Sequence, residues 1–482
     1  MKKFFIVALC VAGMMSSCSD IDDNIANDAK SSILLTQQEY ASIEPDSQLE
    51  MTQGEIVDMV SKFSTTGNST RAIAANPTIV KKFSLSSYSN GKQIPLYEVS
   101  LNEGDDAGYA IVSGDERVPG VIAYVEHGSL NDTLTNKGAA MMLKEAQRSL
   151  ISKVKAVDIA IDSLRASAKA KITAKIGTCN FTFDEVKDRI EVQKGITRTV
   201  ATSNPQGTLL KQVTPLITTK WNQCAPYNNL MDETTASEMQ NWPYYGKNAV
   251  GCTAVAIAQI VAFYECLSTV NGVSLNWSAL KASSEISNYG SESLKTQISN
   301  LFYHVAHGIQ TTWNNGEGGA KISNASSYLS GLGITFDSGR KWAGYSMDAG
   351  RIIESLDKLY PVIITGAYEA GTRSSSVGGR HCWILDGYQI RRRTTTTRTI
   401  VRQNDTYIHA NFGWSGREDG YYMVDRNTTN LDFETSNNGH YNQDLKLYPN
   451  VRMNCNLTSM ISGLRGRWKM SRKKLWWSCY DG

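Results

Sequence analysis

The sequence predicts an α+β protein. Its main domain has two lobes, one helical and one of antiparallel strands, and a small α+β domain precedes it. Three observations predict this. A strand meander followed by one long helical pattern fills the first part of the chain. Helical patterns dominate the next part, and strands dominate after it. A stretch poor in large apolar groups separates the two domains. With 482 residues, 20% charged and 41% hydrophobic, the chain has the length for two or three domains and the composition of a globular protein.

The first element is a targeting segment. Lys2 and Lys3 precede an apolar run from Phe4 to Met15 that is too short to span a bilayer as a helix. The run ends in Met15-Ser16-Ser17-Cys18, which resembles the lipobox of bacterial lipoproteins, where the cysteine is acylated. The acidic lead Ser19-Asp20-Ile21-Asp22-Asp23 is similar to signals that send some lipoproteins to the cell surface. The rival is an ordinary secretory peptide with an incidental cysteine. Both predict export, and the first predicts a membrane anchor at Cys18, with residues 1–18 as signal. Setting Cys10 and Cys18 aside leaves seven of the nine cysteines. Seven is odd and shows no C-x-x-C pair, so at least one thiol stays outside intramolecular pairing.

The formal charge of +3 is unevenly spread. From Ile461 onward Arg465, Arg467, Lys469, Arg472, Lys473 and Lys474 stand against Asp481, and the rest is close to neutral. The body carries no nucleic-acid footprint. Residues 453–482 are set apart as a basic tail of unassigned role.

Next in order, Ile56, Val57, Met59 and Val60 predict a short helix. Pro95–Leu101, Gly108–Ser113 and Gly120–Val125 predict an antiparallel meander, and about Asn136 to Ala170 a long helix. His127, the histidine of this domain, falls in a predicted turn. Residues 186–213 read as an exposed linker. The domains are accordingly bounded as 19–200 and 201–452.

In the second domain, Gly251-Cys252 precedes a run (Thr253 to Tyr264) that is apolar on most of its surface and reads as a buried helix. Unpaired N–H groups and the helix dipole at such a start favour a thiolate. A single cysteine is still more often a small buried hydrophobe. His304 and His307 can share a helix face, but neither an acid ligand at fitting spacing nor H-E-x-x-H accompanies them, so no metal or other cofactor is expected. Met347–Tyr360 reads as a helix, Pro361–Gly366 as a strand, and Arg391–Arg402 as an exposed hairpin.

A cysteine hydrolase needs a thiolate, a base, a group orienting the base, and oxyanion donors. Cys252 is the candidate nucleophile and His381, 129 residues downstream, the candidate base. Asn411, 30 residues past His381, can orient the imidazole. Gln223 can donate to the oxyanion beside the Cys252 backbone N–H. Individually, His381 is more often a satisfied sheet histidine, Asn411 a turn residue and Gln223 a surface group. Their joint order carries the assignment.

Trp221-Asn-Gln-Cys-Ala-Pro-Tyr-Asn228, Gly251-Cys252-Thr-Ala-Val-Ala-Ile-Ala-Gln-Ile260, Gly379-Arg-His381-Cys-Trp-Ile-Leu-Asp-Gly387 and His409-Ala-Asn411-Phe-Gly-Trp414-Ser-Gly416 resemble the streptopain family of papain-like bacterial cysteine peptidases. The first domain is similar to that family's inhibitory propeptide. The resemblance implies a zymogen and endopeptidase activity on proteins. It implies Cys252 and His381 as the catalytic pair, Gln223 at the oxyanion hole, and Asn411 or the Trp414 region supporting the histidine. Phe412, where the family often has tryptophan, and the inserted Arg380 depart from its pattern. A cell-wall peptide amidase and a surface binding lipoprotein with an inactive protease fold are the alternatives.

Overall fold

The alternating apolar pattern of the first domain folds as strands, and it does so against the second domain. A computed structural model describes residues 32–45, 50–65, 76–86, 93–131, 136–193, 203–341, 349–367, 380–395, 401–424 and 445–454. The predicted signal with Cys18, and all but the first two residues of the basic tail, lie outside these.

The first domain opens with β1 (Ile33–Thr36), α1 (Gln37–Ile43) and α2 (Gln53–Thr65). Thr36 and Glu39 form a capping box that starts α1. The meander is β2 (Thr78–Ser86), β3 (Gln93–Ser100), β4 (Tyr109–Ser113) and β5 (Gly120–Val125), each pairing antiparallel with the next. The long helix α3 (Lys137–Ile176) is capped by Asn136, whose side chain accepts from Ala139 N at 3.1 Å, and ends at Gly177 with φ 78°. A short helix α4 (Phe183–Val186) and β6 (Ile190–Gln193) follow, and β6 returns to pair with β1 in parallel.

The second domain carries β7 (Asn204–Val213), the buried helix α5 (Cys252–Tyr264), and the ribbon β8 (Thr269–Val270) and β9 (Val273–Ser274). Helices α6 (Trp277–Leu280) and α7 (Glu292–Gly308), the hairpin β10 (Thr312–Asn314) and β11 (Glu317–Gly319), and α8 (Ile322–Gly331) complete the helical lobe. After β12 (Ile334–Thr335), β13 (Arg340–Lys341) and α9 (Ala349–Asp357) come β14 (Val362–Ala367), β15 (Arg380–Thr395), β16 (Val401–Asn411), β17 (Gly420–Val424), β18 (Lys446–Tyr448) and β19 (Arg452–Met453). The two-lobed α+β expectation therefore holds.

The strand order shows what the sequence did not. One eleven-stranded sheet runs β13-β18-β14-β15-β16-β17-β5-β4-β3-β2, with β7 added to β15. The meander is thus joined to the β lobe through β5 and β17, with Tyr421 opposite Tyr124. Both domains share one core: Met141, Met142 and Ala146 of α3 pack in the same cluster as Trp383, Phe412 and Tyr421. A second core joins α5, α7 and α8 to Cys382 and Ile384 on the other face of β15.

Two sequence expectations need correction. The described parts of 186–213, residues 186–193 and 203–213, carry strands, since β6 pairs with β1 and β7 with β15 from Tyr388↔Val213 to Thr394↔Asn204. Backbone pairing rather than an apolar face specifies β7, so composition does not reveal it. The Arg391–Arg402 segment does form the β15–β16 hairpin, but Arg391 and Arg393 are buried. Arg391 lies over the Phe63 ring at 4.0 Å, and Arg393 Nε meets Asp405 at 2.9 Å.

A peptidase-domain polypeptide that starts at Ser203 keeps β7, whereas one that starts at Thr214 loses its pairing with β15. Removing a strand's worth of hydrogen bonds is expected to lower the unfolding temperature by about 5 °C or more. Calorimetry on the two polypeptides checks this.

Candidate active site

Cys252 opens α5 because Gly251 takes a conformation that suits glycine alone. Gly251 has φ 93°, and a Cβ there would lie 2.7 Å from the Gly318 carbonyl oxygen. The β10–β11 hairpin braces this loop. Trp313 Nε1 donates to Ala249 O at 2.7 Å, and Ala249 N donates to Gly316 O at 2.9 Å. Thr253 through Ala262 are buried, which fixes the helix and leaves Cys252 partly exposed at its first turn. Gln223 comes alongside through the backbone, since Val250 N donates to Gln223 O at 3.1 Å. Asn222 supports this segment, accepting from Gln223 N at 2.6 Å and donating to Ser415 Oγ at 2.8 Å.

Strand alternation on β15 sends Trp383 and Leu385 into the shared core and Cys382 and Ile384 toward α5. His381 goes with the first set. It stacks on Trp383 with ring centres 5.8 Å apart, and meets Trp414 edge-on at 6.4 Å. The first turn of α3 covers it. A Cβ built on Gly138 would stand 2.7 Å from His381 Cδ2 and 2.8 Å from Phe412 Cδ1. His381 is 7% exposed, and its Nε2 has no hydrogen-bond partner among the described residues.

This burial sets the charge state. Burial lowers the His381 pKa to about 4, a backbone hydrogen bond with Phe412 opposes the shift, and the Lys137 charge at the start of α3 adds to it. Burial raises the Cys252 pKa, opposed by hydrogen bonds with the Cys382 backbone and Thr253. Both groups are therefore driven toward their neutral forms, and a thiolate–imidazolium pair is not favoured in this closed state.

Asn411 does not meet the imidazole here. Its Oδ1 accepts from Gln259 Nε2 at 3.0 Å and from Gly413 N at 3.1 Å, and its Nδ2 donates to Thr219 O at 2.9 Å. The backbone of the next residue, Phe412, contacts His381 instead. Phe412 N in turn donates to Asp419 at 2.8 Å. Burial raises Asp419 to about 7, and nearby His409, which pairs with Asp386 at 2.6 Å, acts against that rise.

The structure thus brings Trp414 to His381 and Gln223 to the Cys252 loop. It places Cys252 and His381 on the two sides of β15. Sequence reasoning missed Gly138, Gln259 and Asp419. The α3 start was legible as a helix cap, but nothing local says that it lies on a histidine. Arg380 begins β15 opposite Ala367. His304 and His307 pack against Tyr328 and Tyr303. Cys179, Cys224, Cys252, Cys266 and Cys382 are thiols outside any disulfide among the described residues.

Gly138→Val places atoms where the His381 and Phe412 rings stand. It is expected to lift the α3 start and raise the rate of Cys252 alkylation in the full-length chain by about tenfold, a free-energy change of about 1.4 kcal/mol. Peptide mapping after timed alkylation reads this at Cys252 alone. The pH dependence follows from His381. A buried histidine lowered to about 4 gives the closed state stability that is complete above its ordinary pKa near 6.5 and is lost as pH falls toward 4. The loss amounts to about 3 kcal/mol. Denaturant titration at pH 7 and pH 4.5 should show that loss in the native chain and a smaller one in His381→Gln. Equal losses would refute it.

Residues 221–422 match the model of the Peptidase C10 family, and residues 51–150 match that of the Spi protease inhibitor. A comparison with curated proteins finds no match. Among solved structures, the chain is similar to a fragment of prointerpain A from Prevotella intermedia, with 16% identity and a TM-score of 0.43, over 78% of this chain and 99% of that one. It is also similar to the active wild-type interpain A cysteine protease of the same organism, with 20% identity and a TM-score of 0.34, over 52% of this chain and 99% of that one. The C10 match spans Gln223, Cys252, His381, Asn411 and Trp414, and the inhibitor match spans α2, the meander and the start of α3 that covers His381. Residues 221–422 are thus a C10, or streptopain-family, peptidase domain and residues 51–150 a Spi inhibitor domain: the chain is a cysteine endopeptidase made as a zymogen, with its inhibitor domain in the same polypeptide.

Proposed function

We propose that Cys252 and His381 carry out peptide-bond hydrolysis in an exported, lipid-anchored precursor that is activated by loss of residues 19–200. The observation that carries the site reading is the Gly251–Cys252 helix start with Gln223 at its side and the inhibitor helix lying on His381. Once α3 leaves, the start of β15 is no longer pinned beneath it, the imidazole comes round to the α5 side, and His381 takes the Cys252 proton. The sulfur attacks the substrate carbonyl carbon, forming a C–S bond. The oxyanion is met by the Gln223 side-chain amide and the Cys252 backbone N–H. His381 passes its proton to the departing amine as the C–N bond breaks. Water, giving a proton to His381, then attacks the acyl-thioester, and the proton returns to Cys252 sulfur as the acid product leaves. Trp414 flanks the imidazole, and Asn411 serves the loop that presents it.

The inhibitor domain acts as the intramolecular partner until a cut frees it, and β7 favours a cut upstream of Asn204 because the strand belongs to the peptidase sheet. Lys2, Lys3, the apolar run and Cys18 support export with acylation at Cys18, which places the protein at an outer membrane or cell surface, with release on processing.

The chain expressed without residues 1–18 and allowed to mature should hydrolyse casein under reducing conditions. Cys252→Ala should lower that activity by at least about 10⁴-fold, as removal of a catalytic nucleophile does; full activity in the variant would sink the reading. For the anchor, Cys18→Ser in the complete chain should abolish fatty-acid labelling and move the protein from the membrane fraction to the soluble one.

A further inference from the structure

Gln259 lies two turns along α5 from Cys252 and is 1% exposed in a helix whose surroundings are mostly apolar. A buried amide in such a place is costly unless its oxygen and nitrogen are paired. Both are. Oε1 accepts from Thr219 Oγ1 at 3.1 Å and from Trp221 N at 3.3 Å, and Nε2 donates to Asn411 Oδ1 at 3.0 Å. Asn411 Nδ2 donates to Thr219 O at 2.9 Å, which closes a ring of three residues. The second acceptor position of Asn411 Oδ1 is taken by Gly413 N at 3.1 Å.

Three segments lead from this ring to the site. Helix α5 runs back to Cys252, residues 219–221 run on to Gln223, and residues 411–413 carry Phe412, whose backbone meets His381, and lead to Trp414. We propose that Gln259 is a positioning residue that fixes the spacing of the nucleophile, the oxyanion donor and the imidazole-bearing loop. The proposal rests on the roles proposed above for Cys252, Gln223 and His381. The ring also explains why Asn411 cannot accept from the imidazole while it is intact: a carbonyl oxygen has two lone pairs, and both are engaged. Gln259 touches no reacting atom, so its effect is on turnover and not on substrate affinity.

The test uses the chain expressed from residue 19, matured, with the reactive thiol titrated so that rates refer to competent sites. Gln259→Met removes every polar bond at similar volume, and Gln259→Glu keeps the acceptor but removes the donor to Asn411. Both are expected to lower kcat per titrated thiol about 10- to 100-fold with KM changed less than about threefold, the size of effect that small misplacement of catalytic groups produces. A purely structural role would instead reduce yield or unfolding temperature and leave kcat per titrated thiol within about twofold. That result in both variants overturns the proposal. If neither variant folds, Thr219→Val decides, since it removes a single bond of the ring. A kcat about fivefold lower supports the proposal and an unchanged one overturns it. Casein hydrolysis that survives in Cys252→Ala would defeat the reading of the site itself. Loss there, with full turnover in the Gln259 variants, would defeat only the present inference.

Discussion

The alternation of side chains along β15 is the constraint on which the closed state depends. Successive residues of a strand point to opposite faces, so His381 and Cys382 cannot both face α5. Cys382 takes that place and meets Cys252 through its backbone. His381 is left with Trp383 on the face that α3 covers. Inhibition needs no plug in a cleft. It needs α3 to hold one imidazole on the far side of β15 from Cys252, where burial, with the Lys137 charge adding to it, keeps the ring neutral and deprives the thiol of its counter-charge.

An inhibitor domain that shares a sheet and a core with its enzyme must still be removable, and the buried charges show how. Asp405 is met by Arg393 of its own domain at 2.9 Å and by Lys153 of α3 at 3.0 Å. Burial would raise its pKa, yet these cations hold it low. When α3 leaves, Arg393 remains. Asp386 keeps His409, and Asp419 keeps the Phe412 N–H. Stranding one half of a buried ion pair costs about 3–5 kcal/mol. Pairing on the peptidase side avoids that penalty at each of these positions, so separation is resisted by apolar contacts, by the β5–β17 ladder and by cross-domain hydrogen bonds such as Tyr109 Oη to Glu418 at 3.0 Å and Tyr407 Oη to Val121 O at 2.8 Å. Such contacts bind firmly while the chain is continuous and can be lost once the inhibitor domain is cut away.

What the sequence made legible follows from how far each signal reaches. The apolar run after Cys252 reports its own burial, because a helix without a polar face has to be surrounded, and Gly251 reports a backbone that other residues would strain. The meander was readable from its period of two. The strand β7 was not, because its burial is slight and its stability lies in hydrogen bonds to β15, about 180 residues further along the chain. Arg391 and Arg393 read as solvent-facing because the groups that cover this hairpin, the Phe63 ring over Arg391 and Lys153 at Asp405, the partner of Arg393, come from the first domain. Gly138 carries no local mark at all. Its constraint is the distance to two rings in another domain.

The loop from Asn411 to Asp419 gathers what the individual motifs left apart. Asn411 ties it to α5 through Gln259, the Phe412 backbone meets His381, Trp414 flanks the ring, and Asp419 returns to hold Phe412 N. Position 412 contributes its polar role through the backbone, which any residue provides. Its side chain packs between Trp383, with centroids 5.9 Å apart, and Tyr422, at 6.0 Å, directly under the α3 start. The indole N–H groups of Trp383 and Trp414 already lack partners among the described residues. A phenylalanine adds no third donor to that layer, so the departure at 412 suits a site that must be both covered and uncovered by an apolar surface.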